Sequence, residues 1–405
     1  MKILHVNISD NLGGASKAAY RLHTSLVDAG IDSHFFSLHC AHATDARSHM
    51  SKTPDLVRLL SLYGSFIPNK FYCNRRNQIF SSYMLGIPYI VDEINAFEAD
   101  IVHLHFVSNG MLSLKQISKI ETKIVWSLHD FSPLTGGCHN VFNCSKYLSG
   151  CGNCPALNSN LDRDLSSRNW QVKKRLYTQL DNLKFVAVSE WVRQKILKSS
   201  LLQGQDVVTV GNCIGYDDIS AILPKELNSR KTILFGAYNC FKDSKKGFDI
   251  LFESLRDFKG NNTRLVVFGA ENHGEFDFSS LPLDVEVCGL IDNEETVREL
   301  YRAADVLVVP SREETFGLTA LEALSQGTPA VCFSDIGTAS ILSHMSDGYV
   351  VEKRHAKALL DGILWALNAD NYSEISQSAL TKAKLYSKQA IASKMITVYQ
   401  GFLNG

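Results

Sequence analysis

No run of about 18 or more apolar residues, the minimum for crossing a bilayer, occurs anywhere in the 405-residue chain. A membrane-spanning helix is therefore not expected. Charge of one sign is also missing: 41 Lys and Arg face 42 Asp and Glu, for a net charge of −1. Proteins that bind nucleic acid usually show a basic surplus, so that class is set aside. The first residues, MKILHVNISDNLGG, lack a secretory pattern, because Asn7, Ser9 and Asp10 break the apolar stretch and no small-residue cleavage site follows. The expectation is a cytoplasmic protein whose ten cysteines are thiols or metal ligands rather than disulfides. Short internal repeats and low-complexity tracts are absent too. What is present is ordinary globular material: 45 % hydrophobic and 20 % charged residues suffice for sizeable cores, and the length suggests two or three domains.

Short apolar runs alternate with segments of helical period. Strands are predicted at 2–7, 33–38, 101–105, 123–128 and 184–188, then at 232–236, 264–268, 285–288, 306–309 and 330–333. Helices are predicted over 15–29, 247–257 and 294–304, each with one apolar stripe. This alternation argues for parallel sheets covered on both faces. Around 211–231 the text loosens, and a new strand begins at 232. The reading is a first domain over 1–213, a second over 214–385, and a final amphipathic helix within 386–405. Residues 56–92 fit less well, mixing aromatics with Arg58, Lys70, Arg75 and Arg76. Two readings stand: helices resting on a membrane surface, or an irregular subdomain packed on the core.

Three stretches carry chemistry. In SREETFGLTALEALSQGTP (311–329), Glu314 and Glu322 flank a loop-to-helix turn at the end of a predicted strand, where Gly317 lets the backbone come close to a ligand. Open α/β sheets bind ligands at such turns, and the free N–H groups of a helix start suit a phosphate. Carboxylates only accept hydrogen bonds, which suits the vicinal diols of sugars and ribose. The plain alternative is a capping Glu314 and a solvated Glu322. In GAYNCFKDSKKGFDILFESL (236–255), Lys246 and Gly247 stand directly before a helix, where an ammonium can meet a diphosphate. In GGCHNVFNCSKYLSGCGNCP, Cys138, Cys144, Cys151 and Cys154 have the spacing C-x5-C-x6-C-x2-C. Four thiols in so short a stretch suggest one structural zinc site; reduced cysteines in a loop are the alternative. An iron–sulfur cluster is less fitting for chemistry that moves no electrons. His129, after a predicted strand, would by itself be read as structural.

The block 299–333, ELYRAADVLVVPSREETFGLTALEALSQGTPAVCF, resembles the signature of the family 4 retaining glycosyltransferases. The resemblance implies the GT-B fold: an α/β protein of two doubly wound Rossmann-like domains facing across a cleft, the last helix crossing back to the first. It implies that Glu314 and the backbone amides at Phe316, Gly317 and Leu318 hold the donor sugar, and that Glu322 binds the nucleotide ribose. The pair His129–Asp130 matches the family's His-Asp, whose histidine contacts the transferred sugar. Asn11–Ala15 matches the glycine loop under the diphosphate, with Gly13 and Gly14 on the donor side. Lys17 and Asn109 are candidates on the acceptor side. Lys246–Gly247 matches the Lys-Gly pair, but the arginine that usually follows the preceding strand's glycine is replaced by Ala237; Lys242 or Lys245 could substitute. The double glycine expected within 334–342 is reduced to Gly337 followed by Thr338.

With the cysteine cluster included, the chain is most similar to the subset of that family found in bacterial exopolysaccharide, colanic-acid-type and O-antigen synthesis. The resemblance then implies a UDP-, GDP- or other nucleotide-sugar donor and a saccharide acceptor on a polyprenyl diphosphate. It also implies work at the inner face of the inner membrane, with no catalytic metal, Lys246 and helix-start amides stabilising the leaving diphosphate. A nucleotide-sugar epimerase and a donor-binding scaffold without turnover are the competing readings.

Overall fold

Each strand followed by an amphipathic helix must bury one face, and the chain does so twice. The computed structural model describes residues 1–42, 44–72, 78–216, 222–270 and 276–405. Contacts divide it into unit 1, Met1–Cys213 with Ile391–Gly405, and unit 2, Ile214–Ala390.

Unit 1 contains β1 (Lys2–Ser9), α1 (Gly13–Asp28), β2 (Asp32–His39), β3 (Ser48–Met50), α2 (Asp55–Lys70), α3 (Ile90–Asn95), β4 (Ile101–Leu104), α4 (Leu114–Ile117), β5 (Lys123–Leu128), α5 (Leu165–Gln179), β6 (Leu183–Ala187), α6 (Glu190–Lys198) and β7 (Val207–Thr209). Its sheet is parallel, in the order β3-β2-β1-β4-β5-β6-β7. Unit 2 contains β8 (Lys231–Gly236), α7 (Phe248–Arg256), β9 (Thr263–Phe268), β10 (Asp284–Val287), α8 (Glu294–Ala303), β11 (Val306–Val309), α9 (Leu318–Leu324), β12 (Ala330–Phe333), β13 (Gly348–Val351), α10 (Ala356–Leu367) and α11 (Tyr372–Lys384). Its parallel order is β10-β9-β8-β11-β12-β13. The last helix, α12 (Lys388–Asn404), starts in unit 2 and ends in unit 1.

In both sheets the strand order reverses beside the first strand of the unit, β1 or β8. Crevices at the carboxyl ends of strands form at such points. The buried stripe of α7 (Phe248, Leu251, Phe252, Leu255) packs on Ile233, Phe235, Leu265 and Val267 of the sheet, each such side chain contributing about 1.5–3 kcal/mol on burial. Among the described residues the strands with no sequence signal are β3, β7 and β13. All lie at sheet edges, span three or four residues and are only partly buried, so neither a sustained apolar run nor clean alternation is required of them.

Between β3 and β4 the chain forms α2 and α3, while Cys73, Arg75 and Arg76 lie outside the described residues. Helix α2 turns an apolar stripe outward: Leu56, Leu60, Tyr63 and Ile67 recur at helical spacing and are each more than half exposed, and Phe71 follows at the helix end. Among the described residues no helix is long and apolar enough to cross a membrane.

Candidate active site

In unit 2, strand β8 ends at Gly236, and the chain returns through a short turn (Ser244–Lys246) into α7. Gly247 joins them in the left-handed region, φ +71°, and a Cβ there would sit 2.0 Å from the carbonyl oxygen of Pro310. That close approach brings Lys246 to the end of β11. Its Nζ donates to Glu314 Oε2 at 3.0 Å, and the carboxylate beside it holds the ammonium above its usual pKa. Arg312, not anticipated from the sequence, ties the two loops together. Its guanidinium donates to both oxygens of Asp249 on α7 (2.8 and 2.6 Å) and to Ser244 O (2.6 Å), while its backbone N–H donates to Lys245 O at 2.7 Å. Bidentate Arg–carboxylate pairing fixes orientation as well as distance.

Two more glycines seat the donor-side loops. Gly317 has φ +100°, and a Cβ on it would lie 2.3 Å from Thr338 Oγ1. Gly337 N–H donates to Glu314 O at 2.6 Å. The 334–342 loop therefore packs directly on the Glu314–Gly317 turn even with its reduced glycine content. Helix α9 starts at Leu318 with no side-chain cap, so its first N–H groups are not occupied by a capping oxygen. Phe316 is buried, edge-on to Tyr386. Glu322, one turn into α9, is half-buried and accepts from the Tyr301 hydroxyl at 3.1 Å. Of the lysines considered as replacements for the missing arginine, Lys245 is paired with Asp243 at 3.5 Å. Lys242 is exposed beside a cavity of about 200 Å³ lined also by Tyr238, Asn239 and Gly269.

In unit 1, Gly13 (φ +83°) opens α1 after β1, again with no side-chain cap. Gly13 and Gly14 are exposed, as is Lys17. Asn109, with φ +55°, accepts from Ser81 Oγ at 2.9 Å. It lines a cavity of about 440 Å³ with Ile8, His39, Arg58 and Leu59, at the carboxyl ends of β1 and β2 and against α2. Lys17 does not line that cavity. His129 follows β5 and is half-buried, with its pKa lowered to about 4, mainly by burial and partly offset by Asp130. Asp130 fastens the following loop, accepting from Ser132 N–H at 2.6 Å and meeting His139 Nδ1 at 3.0 Å.

The loop after His129 carries the four cysteines, which line one cavity of about 280 Å³. Gly136 N–H donates to Cys151 Sγ at 3.2 Å. Cys154 accepts from Cys138 and from the N–H groups of Leu157 and Ala156, which hold its thiol below the usual range. The ammonium of Lys173, buried beside these thiols, is lowered to about 7 by burial. Among the described residues only His5, His103 and His105 bring three metal-binding atoms within 4.8 Å of one another; the thiols, as positioned, do not.

Sequence reasoning passed over those histidines, although HLH at 103–105 puts two imidazoles on one face of an extended chain. Arg312, Asp249 and Tyr301 gave no local signal, because their roles exist only through partners distant in sequence.

Comparison with known proteins places the chain in a family. Residues 12–217 match the family described as Glycosyltransferase Family 4, and residues 221–383 match Glycosyl transferases group 1. WcaC of Escherichia coli K12, described provisionally as a colanic acid biosynthesis glycosyl transferase, is 23% identical over 99% of this chain and 100% of its own. Among solved structures, a glycosyltransferase from Rickettsia africae is similar with TM-score 0.67 at 18% identity, covering 99% of this chain and 98% of that one. Alr3699/HepE of Anabaena in complex with UDP-glucose gives TM-score 0.63 at 15% identity, covering 99% and 100%. The two parallel-sheet units are thus those of the GT-B fold, and the chain belongs to glycosyltransferase family 4.

Proposed function

We propose that the protein transfers a sugar, with retention of anomeric configuration, from a nucleotide-diphosphate donor to a saccharide acceptor in bacterial surface polysaccharide synthesis. The observation that carries this reading is the Lys246–Glu314 pair at 3.0 Å, set beside the uncapped start of α9 with Glu322 one turn further on. A cation and helix-start amides suit a leaving diphosphate without a metal, because fixed donors stabilise the charge as it develops. The two carboxylates suit hydroxyls, Glu314 those of the sugar and Glu322 those of the ribose. On this reading Gly13, Gly14 and His129 of unit 1 act on the donor, and departure and attack share one face of the sugar. The solved complex of HepE with UDP-glucose favours a uridine nucleotide as the first donor to try. Incubation with labelled donor, with and without a polyprenyl-diphosphate-linked saccharide, is the test. The expected result is acceptor-dependent transfer, with the donor's anomeric configuration kept in the product's NMR spectrum. Acceptor-independent isomerisation would indicate an epimerase, and binding without product a scaffold; either would refute the reading.

The acceptor is assigned to the Asn109 cavity, and the outward stripe of α2 beside it to the bilayer carrying the lipid-linked saccharide. Leu56, Leu60, Tyr63 and Ile67 are exposed on one face, with Lys52 and Lys70 exposed near the helix ends, the pattern of a helix lying in an interface. Wild-type protein is expected to sediment with vesicles containing anionic lipid, and the double variant Leu60→Glu/Tyr63→Glu to remain in the supernatant. Equal sedimentation of the two would remove α2 from this role.

The cysteine loop is assigned one structural zinc ion, held by Cys138, Cys144, Cys151 and Cys154 once the thiols close on it. The support is the shared cavity and the N–H donors already directed at Cys151 and Cys154, since metal-bound thiolates are stabilised by such hydrogen bonds. Elemental analysis of the purified protein should return one zinc per chain and none for Cys151→Ser/Cys154→Ser; metal-free wild-type protein of full stability would contradict it.

A further inference from the structure

Behind His129 lies a file of imidazoles within unit 1. His129 Nε2 meets His105 Nδ1 at 3.0 Å, and His105 Nε2 meets His5 Nδ1 at 2.9 Å. The rings stack at centroid distances of 5.3 Å (His105–His129) and 5.2 Å (His5–His105). His5 and His105 are buried, on β1 and just beyond β4, and burial keeps both pKa values well below the ordinary histidine value, so they are neutral at pH 7.

A metal is one occupant to consider, because His5, His103 and His105 cluster. Their nitrogens are already engaged, however. His103 meets the Tyr399 hydroxyl at 2.6 Å and Ser127 Oγ at 2.8 Å. Both nitrogens of His105 and Nδ1 of His5 are used within the file. Only His5 Nε2, buried and without a hydrogen-bond partner, is left to offer a lone pair, and one ligand does not make a metal site.

The file constrains protons instead. A neutral imidazole has one donor and one acceptor nitrogen, so the two contacts must run in the same direction. If the protons point inward, His5 carries a buried N–H on Nε2 with no protein acceptor to receive it. If they point outward, His5 Nδ1–H donates to His105, His105 Nδ1–H donates to His129 Nε2, and His5 Nε2 is a bare acceptor. Orphaned buried N–H groups are rarer than under-satisfied acceptors, which favours the outward direction.

We propose that His105 is a positioning residue for His129, holding it through the His5–His105–His129 file as the tautomer with its proton on Nδ1. The consequence for transfer rests on the assignment of His129 to the donor sugar; the tautomer itself does not. Two near-isosteric variants separate the contacts. The amide nitrogen of Asn lies where His Nδ1 does, so His105→Asn keeps a donor to His129. The amide of Gln lies where His Nε2 does, so His105→Gln keeps the contact to His5 and loses the one to His129.

The experiment is 15N NMR of the ring nitrogens in histidine-labelled protein without substrate, with His129 assigned by the signals lost in His129→Gln. The expected result is Nδ1–H at His129 in the wild type and in His105→Asn, and a mixture or Nε2–H in His105→Gln. Transfer by His105→Gln should fall by about 10–100-fold in kcat, with the donor KM changed little, while His105→Asn stays within about threefold of wild type. A merely structural role predicts equal losses in the two variants. Nε2–H in the wild type, an unchanged tautomer in His105→Gln, or nitrogen shifts showing a bound metal would each overturn the proposal. Absence of transfer by the wild type would instead count against the function, since the tautomer is read without substrate.

Discussion

Alanine in place of Lys246 is expected to lower kcat for sugar transfer by about 10²–10³-fold, the usual cost of removing one fixed charge-stabilising donor from an active site. The protein should still fold. The Lys246–Glu314 pair is about a quarter exposed on each side, so water can reach the Glu314 carboxylate left behind, and the expected loss of stability is about 1–3 kcal/mol. Loss of activity therefore cannot be attributed to unfolding if the melting temperature shifts by only a few degrees. The assay is initial-rate transfer with saturating donor, alongside circular dichroism. In the wild type Glu314 holds the ammonium in place and favours its charged form, so Glu314→Gln should also weaken transfer. Its effect should fall partly on donor KM, because that carboxylate is assigned sugar hydroxyls as well. Normal turnover in Lys246→Ala would detach this residue from the chemistry.

Gly247→Ala should be nearly as damaging by a different route. The backbone there is left-handed (φ +71°), and the new Cβ would fall 2.0 Å from Pro310 O. Backbone strain of this kind costs about 1–3 kcal/mol, and the clash with a main-chain carbonyl adds to it, because neither atom sits on a flexible side chain. The strain is relieved only by moving the Lys246 turn away from the end of β11, which breaks the alignment with Glu314. A lowered melting temperature together with lost transfer is expected. Gly401→Ala, inside α12 where a Cβ meets nothing within 4 Å, serves as the control and should leave transfer unchanged and the melting temperature unchanged or slightly raised.

The interior strands of both sheets were legible in the sequence because burial on two faces demands apolar runs, as in Ile124–Trp126 and Val306–Val309. Edge strands such as β3 and β7 escape that demand and left no trace. At the candidate site, residues next to a strand end or helix start (Glu314, Lys246, Gly317) could be read from local text, since the turn itself constrains residue type. Arg312 could not, because its meaning is Asp249, 63 positions earlier. Nor could the imidazole file, which exists only because β1 and β4 pair with His5 opposite His103. The cysteine spacing announced a cluster, and the fold does place the four residues around one cavity. Spacing alone leaves the separation of their sulfurs undetermined.

The central claim is that unit 2 grips a nucleotide sugar through Lys246, Glu314 and Glu322. Isothermal titration of a nucleotide-sugar panel, beginning with UDP-glucose, against the wild type and Glu322→Gln tests it most directly. The account predicts saturable binding of at least one donor and a loss of about tenfold or more in Glu322→Gln, as expected when a hydrogen bond to a charged group is removed. If no nucleotide sugar binds, or if Glu322→Gln binds the donor as tightly as the wild type does, the claim is wrong.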